Sequence, residues 1–156
     1  MSPKMNDSML DRRDFVLGAG AVAATFLTAS ALAQEAGQNW EDALKRIVGD
    51  ARPTEGRVAL DMPEIAENGN TVPFTIAVDS PMTEKEFVRA IHVIATANPQ
   101  PGVATFRFTP QSGKAAVASR MRLARSQDVI GLAELSDGRF LITRRPVKVT
   151  IGGCGG

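Results

Sequence analysis

The residues with the most chemical promise are the last five, Gly152-Gly153-Cys154-Gly155-Gly156, where the only cysteine of the 156-residue chain stands third from the end. A thiol is a nucleophile whose sulfur bonds reversibly to other sulfur, so the chemistry on offer is covalent attachment. Glycine has no Cβ, and four of them make an arm that is slender and conformationally free. Extended at roughly 3.3 to 3.6 Å per residue, the chain from Thr150 to Cys154 covers about 13 to 14 Å, enough to enter a narrow cleft in another protein. Nothing nearby in the sequence activates the thiol, and the terminal carboxylate is two residues away. An exposed cysteine with a pKa of about 8.5 is only about 3% thiolate at pH 7. Activation must therefore come from a partner's active site. That combination suggests a carrier handed between enzymes, with Cys154 as the attachment point and not catalytic on its own.

Other reactive constellations are missing from the sequence. The single histidine, His92, shares a strand face with Ala90 and Ile94 and has no second His or Cys with which to bind a metal, so it reads as a packed or edge histidine. There is no HExxH, no GxSxG and no phosphate-binding glycine loop, so neither intrinsic catalysis nor a cofactor or metal is expected. Arg120, Arg122 and Arg125 form a basic stretch, with Arg120 and Arg122 on one strand face, and Arg144-Arg145 add another. Such charge suits an acidic partner or an anionic ligand, but a solvated strand face is its default reading. A net charge of +1, one Trp and no Tyr argue against nucleic-acid binding.

Two rival uses of the tail remain open. Ubiquitin-like sulfur carriers end in Gly-Gly and hold sulfur as a terminal thiocarboxylate, here on Gly156, but they need ATP-dependent activation. Alternatively, Cys154 tethers two copies of an exported structural or binding module through an intermolecular disulfide. Prenylation is disfavoured, because a C-a-a-X signal needs three residues after the cysteine.

The first 33 residues address the compartment. Arg12-Arg13 precedes an apolar run without charge from Phe15 to Ala33, and Ala31-Leu32-Ala33 offers a cleavage site. This is the pattern of a twin-arginine signal peptide, so the mature chain is expected to begin at Gln34 and to work, already folded, in the periplasm. An uncleaved membrane anchor is the alternative; the Ala- and Gly-rich run closed by A-x-A favours cleavage, leaving no membrane association.

The elements that must position the arm come next. Asn39 caps a predicted helix whose Trp40, Ala43, Leu44, Ile47 and Val48 form one apolar stripe, stopped by Gly49 and Pro53. Beyond Pro53 the periodicity is that of strands. Asn68-Gly69, between Val58-Ala59-Leu60 and Val72 to Val78, and Asp137-Gly138, between Val129 to Leu135 and Arg139 to Thr143, are hairpin signals. Phe87 to Thr96, Val103 to Thr109 and Ala115 to Leu123 supply the strands between them. In the last strand Val147, Val149 and Ile151 share one face, and Lys148 and Thr150 the other. Short strands at near-regular spacing predict an all-β antiparallel sandwich over residues 34–151, carrying the arm 152–156.

These residues resemble a known family. The end Val-Lys-Val-Thr-Ile-Gly-Gly-Cys-Gly-Gly is similar to the terminal motif of SoxY, the substrate-carrying subunit of the SoxYZ complex of bacterial sulfur oxidation. Ile65 to Thr83, Asn98 to Pro110, Ser119 to Val129 and Glu134 to Phe140 also resemble family blocks. The resemblance implies an immunoglobulin-like fold and a heterodimer with SoxZ, a small β protein without an export signal of its own. It also implies thiosulfate joined to Cys154 by the haem enzyme SoxAX as a cysteine S-thiosulfonate. Sulfate would then be released by the hydrolase SoxB and, where present, the remaining sulfur oxidised by SoxCD. No family role is implied for Arg120 or Arg122.

Overall fold

The computed structural model describes residues 39–151. The expected signal peptide and cleavage site, the expected mature N-terminus at Gln34, and residues 152–156 with Cys154 lie outside the described residues. Helix α1 (Trp40–Val48) forms where the apolar stripe predicts it. The Asn39 side chain accepts from the Glu41 N–H at 3.2 Å, satisfying one of the donors a helix start leaves open. At the other end Gly49, at φ 59°, turns the chain away while its N–H donates to the Lys45 carbonyl. Ala43, Leu44, Ile47 and Val48 are half-buried, and the helix packs on β5 (Val88–Ala95). The Arg144 guanidinium stands 5.0 Å from the centroid of the Trp40 ring and 3.3 Å from the Asp128 carboxylate, which ties the start of the helix to the sheet.

The other strands are β1 (Thr54–Glu55), β2 (Val58–Asp61), β3 (Ile65–Ala66), β4 (Val72–Val78), β6 (Gly102–Arg107), β7 (Ala115–Met121), β8 (Gln127–Leu135) and β9 (Phe140–Val149). They make an all-β, immunoglobulin-like sandwich. One sheet runs β1-β9-β8-β5-β6 with β3 also on β9, and the other runs β2-β4-β7. The core lies between them: Phe74, Ile76 and Val78 alternate inward from β4 to meet Ile91, Val93, Val129, Ala133 and Leu135. At Gly131 a Cβ would fall 2.5 Å from Ile76 Cδ1 of the facing sheet and 3.2 Å from Thr143 Cγ2. Since Ile76 is fully buried, its side chain has little room to yield, and glycine is what allows this close approach.

The Asp137-Gly138 hairpin forms as read, with Gly138 at φ 85° joining β8 to β9. The Asn68-Gly69 reading needs correction. Strands β2 and β4 do pair antiparallel, from Val58↔Val78 to Asp61↔Thr75, but residues 62–71 leave that sheet and return. On the way β3 pairs in parallel with β9, Ile65↔Lys148 and Ala66↔Val149. Gly69 is not the apex of a two-residue turn, because both of its backbone groups are bonded elsewhere: its N–H donates to Ile151 and its carbonyl accepts from Leu123. The expectation of a purely antiparallel sandwich changes with it, since β1 also joins β9 in parallel.

Candidate functional site

Cys154 and the glycines Gly152, Gly153, Gly155 and Gly156 lie outside the described residues, so the site is built from the structure that leads into them. Strand β9 ends at Val149, and the chain stays tethered for two residues more. On one edge, Ser126 Oγ accepts from the Val149 N–H at 2.9 Å and lies 3.3 Å from the Val149 carbonyl oxygen as its donor, so a hydroxyl takes the place of a strand neighbour. On the other edge, the Glu64 and Ala66 carbonyls accept from the Lys148 and Thr150 N–H groups at 2.8 and 3.0 Å. Thr150 Oγ1 donates to the Glu67 carbonyl at 3.0 Å, and the Ile151 carbonyl accepts from Gly69 at 2.9 Å. Each such bond is worth only about 0.5 to 1.5 kcal/mol net, but together they fix the origin of the arm at Ile151.

The loop that supplies Ser126 is itself held. Asn98 Nδ2 donates to the Arg122 carbonyl at 2.8 Å, and Asn98 Oδ1 accepts from Ala124 N–H and from Gln127 Nε2, both at 2.9 Å. Buried Gln127 also donates to the Arg125 carbonyl at 3.0 Å and accepts from Ala97 N–H at 2.7 Å, so both ends of its amide are satisfied. Sequence reasoning took Asn98 only as a turn former and passed over Ser126 and Gln127. Apart from Arg125, two residues from Gln127, their partners are 23 to 30 residues away, and no local pattern marks them.

Two expectations change here. Ile151 does not continue the apolar face of Val147 and Val149: the strand stops short of it, and Ile151 is 66% exposed. Arg120 and Arg122 do not share a strand face either, because β7 ends at Met121. Arg120 lines an open groove of about 750 Å³ with Asp61, Pro73, Thr75 and Ala118 on the outer side of the three-stranded sheet. Arg122 and Arg125 belong instead to the held loop beside the arm's root, and Arg144 is engaged with Asp128 and Trp40. The basic residues are thus dispersed.

His92 is packed, as read. Its Nδ1 is 2.9 Å from Thr105 Oγ1, while Nε2 is buried without a hydrogen-bond partner, 4.0 Å from Glu134. Burial lowers its pKa from the ordinary 6.5, Glu134 opposes this and Arg107 adds to it. Burial is the larger effect, so Glu134, whose other oxygen is 3.3 Å from Arg89, does not reverse it. A pKa depressed by folding means that the unfolded chain binds the proton more readily. This contribution to stability is complete above the ordinary histidine value and is lost as pH falls through the folded one. Thermal midpoints measured from pH 8 to 5 are expected to drop over the acid half of that range, and the drop is expected to shrink in His92→Gln. An unchanged pH profile in the variant would assign the dependence to other groups.

Comparison with known proteins decides the family. The family model described as sulfur oxidation protein SoxY matches residues 44–154. A solved structure, the sulfur carrier protein SoxY from Chlorobium limicola f thiosulfatophilum, is 32% identical, with a TM-score of 0.61 over 74% of this chain and 100% of that one. The chain belongs to the SoxY family. A superoxide reductase (neelaredoxin) from Ignicoccus hospitalis also superposes, with a TM-score of 0.54 over 60% of this chain and 80% of that one. At 15% identity that likeness speaks for the shared sandwich alone. No curated protein matches the chain. Among the described residues no group of three or more His, Cys, Asp and Glu is placed to hold a metal ion.

Proposed function

We propose that this SoxY-family protein is the covalent substrate carrier of periplasmic thiosulfate oxidation, holding intermediates on Cys154 and presenting them to successive enzymes while catalysing nothing itself. The observation that carries the reading is the tether at Ile151: a well-fixed body ends three residues before the only cysteine. The solved Chlorobium relative, a sulfur carrier protein, supports the same role. In the first step the Cys154 thiol and thiosulfate form a sulfur–sulfur bond, giving Cys–S–S–SO3⁻ and releasing one proton and two electrons, which the haem enzyme SoxAX accepts. Water then attacks the terminal sulfonate sulfur in SoxB, so that sulfate and a proton leave and Cys–S–SH remains. SoxCD, where present, oxidises that sulfane sulfur. Substrate bound to one thiol reaches each active site at an effective concentration set by the arm. SoxZ is the proposed heterodimer partner, and the twin-arginine signal exports the folded pair.

Intact mass spectrometry of the mature protein from thiosulfate-grown cells, with and without reductant, tests this reading. Reductant-sensitive additions of sulfur, sulfonate or thiosulfonate that map to Cys154 are expected. An unmodified thiol, or a symmetric disulfide alone, would support the tethered binding module instead.

A further inference from the structure

The sandwich is open along one side. Strand β2 packs over β9 and β8, so β7, at the other edge of the three-stranded sheet, lies on the β5 and β6 side of the larger one, and residues 108–114 join the two edges. Between β6 and β7 the inward-facing side chains are incompletely covered. Phe106, opposite the core residue Ile91 in the register, is half-buried, as are Phe108 and Val117, and Ser119, opposite the core residue Phe74, is exposed. The edge of β7 is also unguarded. It pairs with β4 without a bulge from Val72↔Met121 to Val78↔Ala115, and among the described residues nothing is hydrogen-bonded to its outer side. Sheets block exposed edges with prolines, bulges or inward-pointing charges; β7 has none of these, since its one charge, Arg120, lies on the outer face. Charge indicates what pairs there. No Asp or Glu occurs from Phe87 to Gln127, a stretch with six Arg and Lys. Arg107 on β6, Lys114 in the connection and Arg120 on β7 are exposed, and among the described residues their side chains make no ion pair or hydrogen bond. A second copy docked edge to edge about a twofold axis sets this basic border against itself, whereas a carboxylate-bearing strand meets it with opposite charge.

We infer that β7 receives a β-strand from a stable partner of a different kind, apolar on the face that closes the core over Phe106, Phe108 and Val117 and acidic on the face beside Arg120. The added strand extends the three-stranded sheet through backbone hydrogen bonds, which supply affinity, while its alternating side chains supply the fit. Arg107 and Lys114 form a charged rim that steers the acidic partner to the edge. Completing a core is the contact of a permanent complex, whose interface resembles a domain core cut in half, and not of an enzyme that comes and goes. The partner is assigned as SoxZ, the proposed heterodimer subunit, on the strength of the carrier reading; the edge that receives it is read from the fold alone.

The test is titration of the full-length mature protein with SoxZ. Amides of Ala115–Met121 on the open edge are expected to slow in hydrogen exchange by about tenfold or more on binding, with those of β2 at the opposite edge unchanged. Ser119→Lys places a charge on the face to be covered, at an exposed position. Its Kd for SoxZ is expected to rise about a hundredfold while the thermal midpoint of the free protein stays put, and Ser119→Val should bind as the wild type does. Arg107→Glu with Arg120→Glu should raise Kd about tenfold at low salt and progressively less as salt screens the charges. SoxZ binding that survives Ser119→Lys and leaves exchange in β7 unchanged overturns the edge and leaves the carrier reading intact. Self-association of the free protein that Ser119→Lys disrupts, with affinity for SoxZ unchanged, overturns it in favour of a second copy. A wild type that does not bind SoxZ overturns the edge together with the heterodimer, whereas the absence of sulfur additions on Cys154 removes the carrier reading alone.

Discussion

Cys154→Ser is expected to abolish thiosulfate turnover in a system reconstituted with the carrier complex and its enzymes, while leaving folding and partner binding unchanged. The core between the two sheets contains no thiol, and the backbone is held by hydrogen bonds as far as Ile151, three positions before the substitution. A hydroxyl cannot stand in, because the intermediates are held by a sulfur–sulfur bond that oxygen does not form. The loss should therefore be total and not a change in KM. Measured sulfate release that persists in the serine variant would sink the carrier reading. It would revive the Gly156 thiocarboxylate, the alternative that survives loss of the thiol.

Replacing Gly152 and Gly153 together by valine is the second large effect. The thiol remains and the root at Ile151 is untouched, but two branched side chains make the arm wider and restrict its backbone. Rates of loading and of sulfate release are expected to fall on the order of tenfold or more, ~1.4 kcal/mol of barrier for each factor of ten. Reaction of Cys154 with a small alkylating agent in free solution should change little. Comparing the two readouts separates access to a cleft from reactivity of the sulfur. Equal rates with every partner enzyme would show that slenderness is irrelevant and that reach alone matters.

Most of the sandwich was legible in the sequence because its signals are local. The stripe from Trp40 to Val48, the cap at Asn39 and the turn at Asp137-Gly138 each depend on a few neighbouring residues, and each forms where it was read. The failures share one cause. Asn68-Gly69 has the composition of a tight turn, yet its geometry is set by Ile151 and Leu123, more than fifty residues away. Arg122 was placed on a strand by alternation, but the strand yields at Met121 because the next residues are bonded to Asn98. Ile151 continues a pattern of apolar alternation that the fold no longer uses.

From sequence alone came the reactive group, its position third from the end, the glycines around it and the family resemblance, since these are matters of residue type and order. Tertiary structure decided where the arm begins and what holds it there. Backbone N–H and C=O groups are the same in every residue but proline, so the bonds from Ala66 and Gly69 to Thr150 and Ile151 leave no mark in local composition. They exist only once the sheets have packed and brought those distant segments side by side.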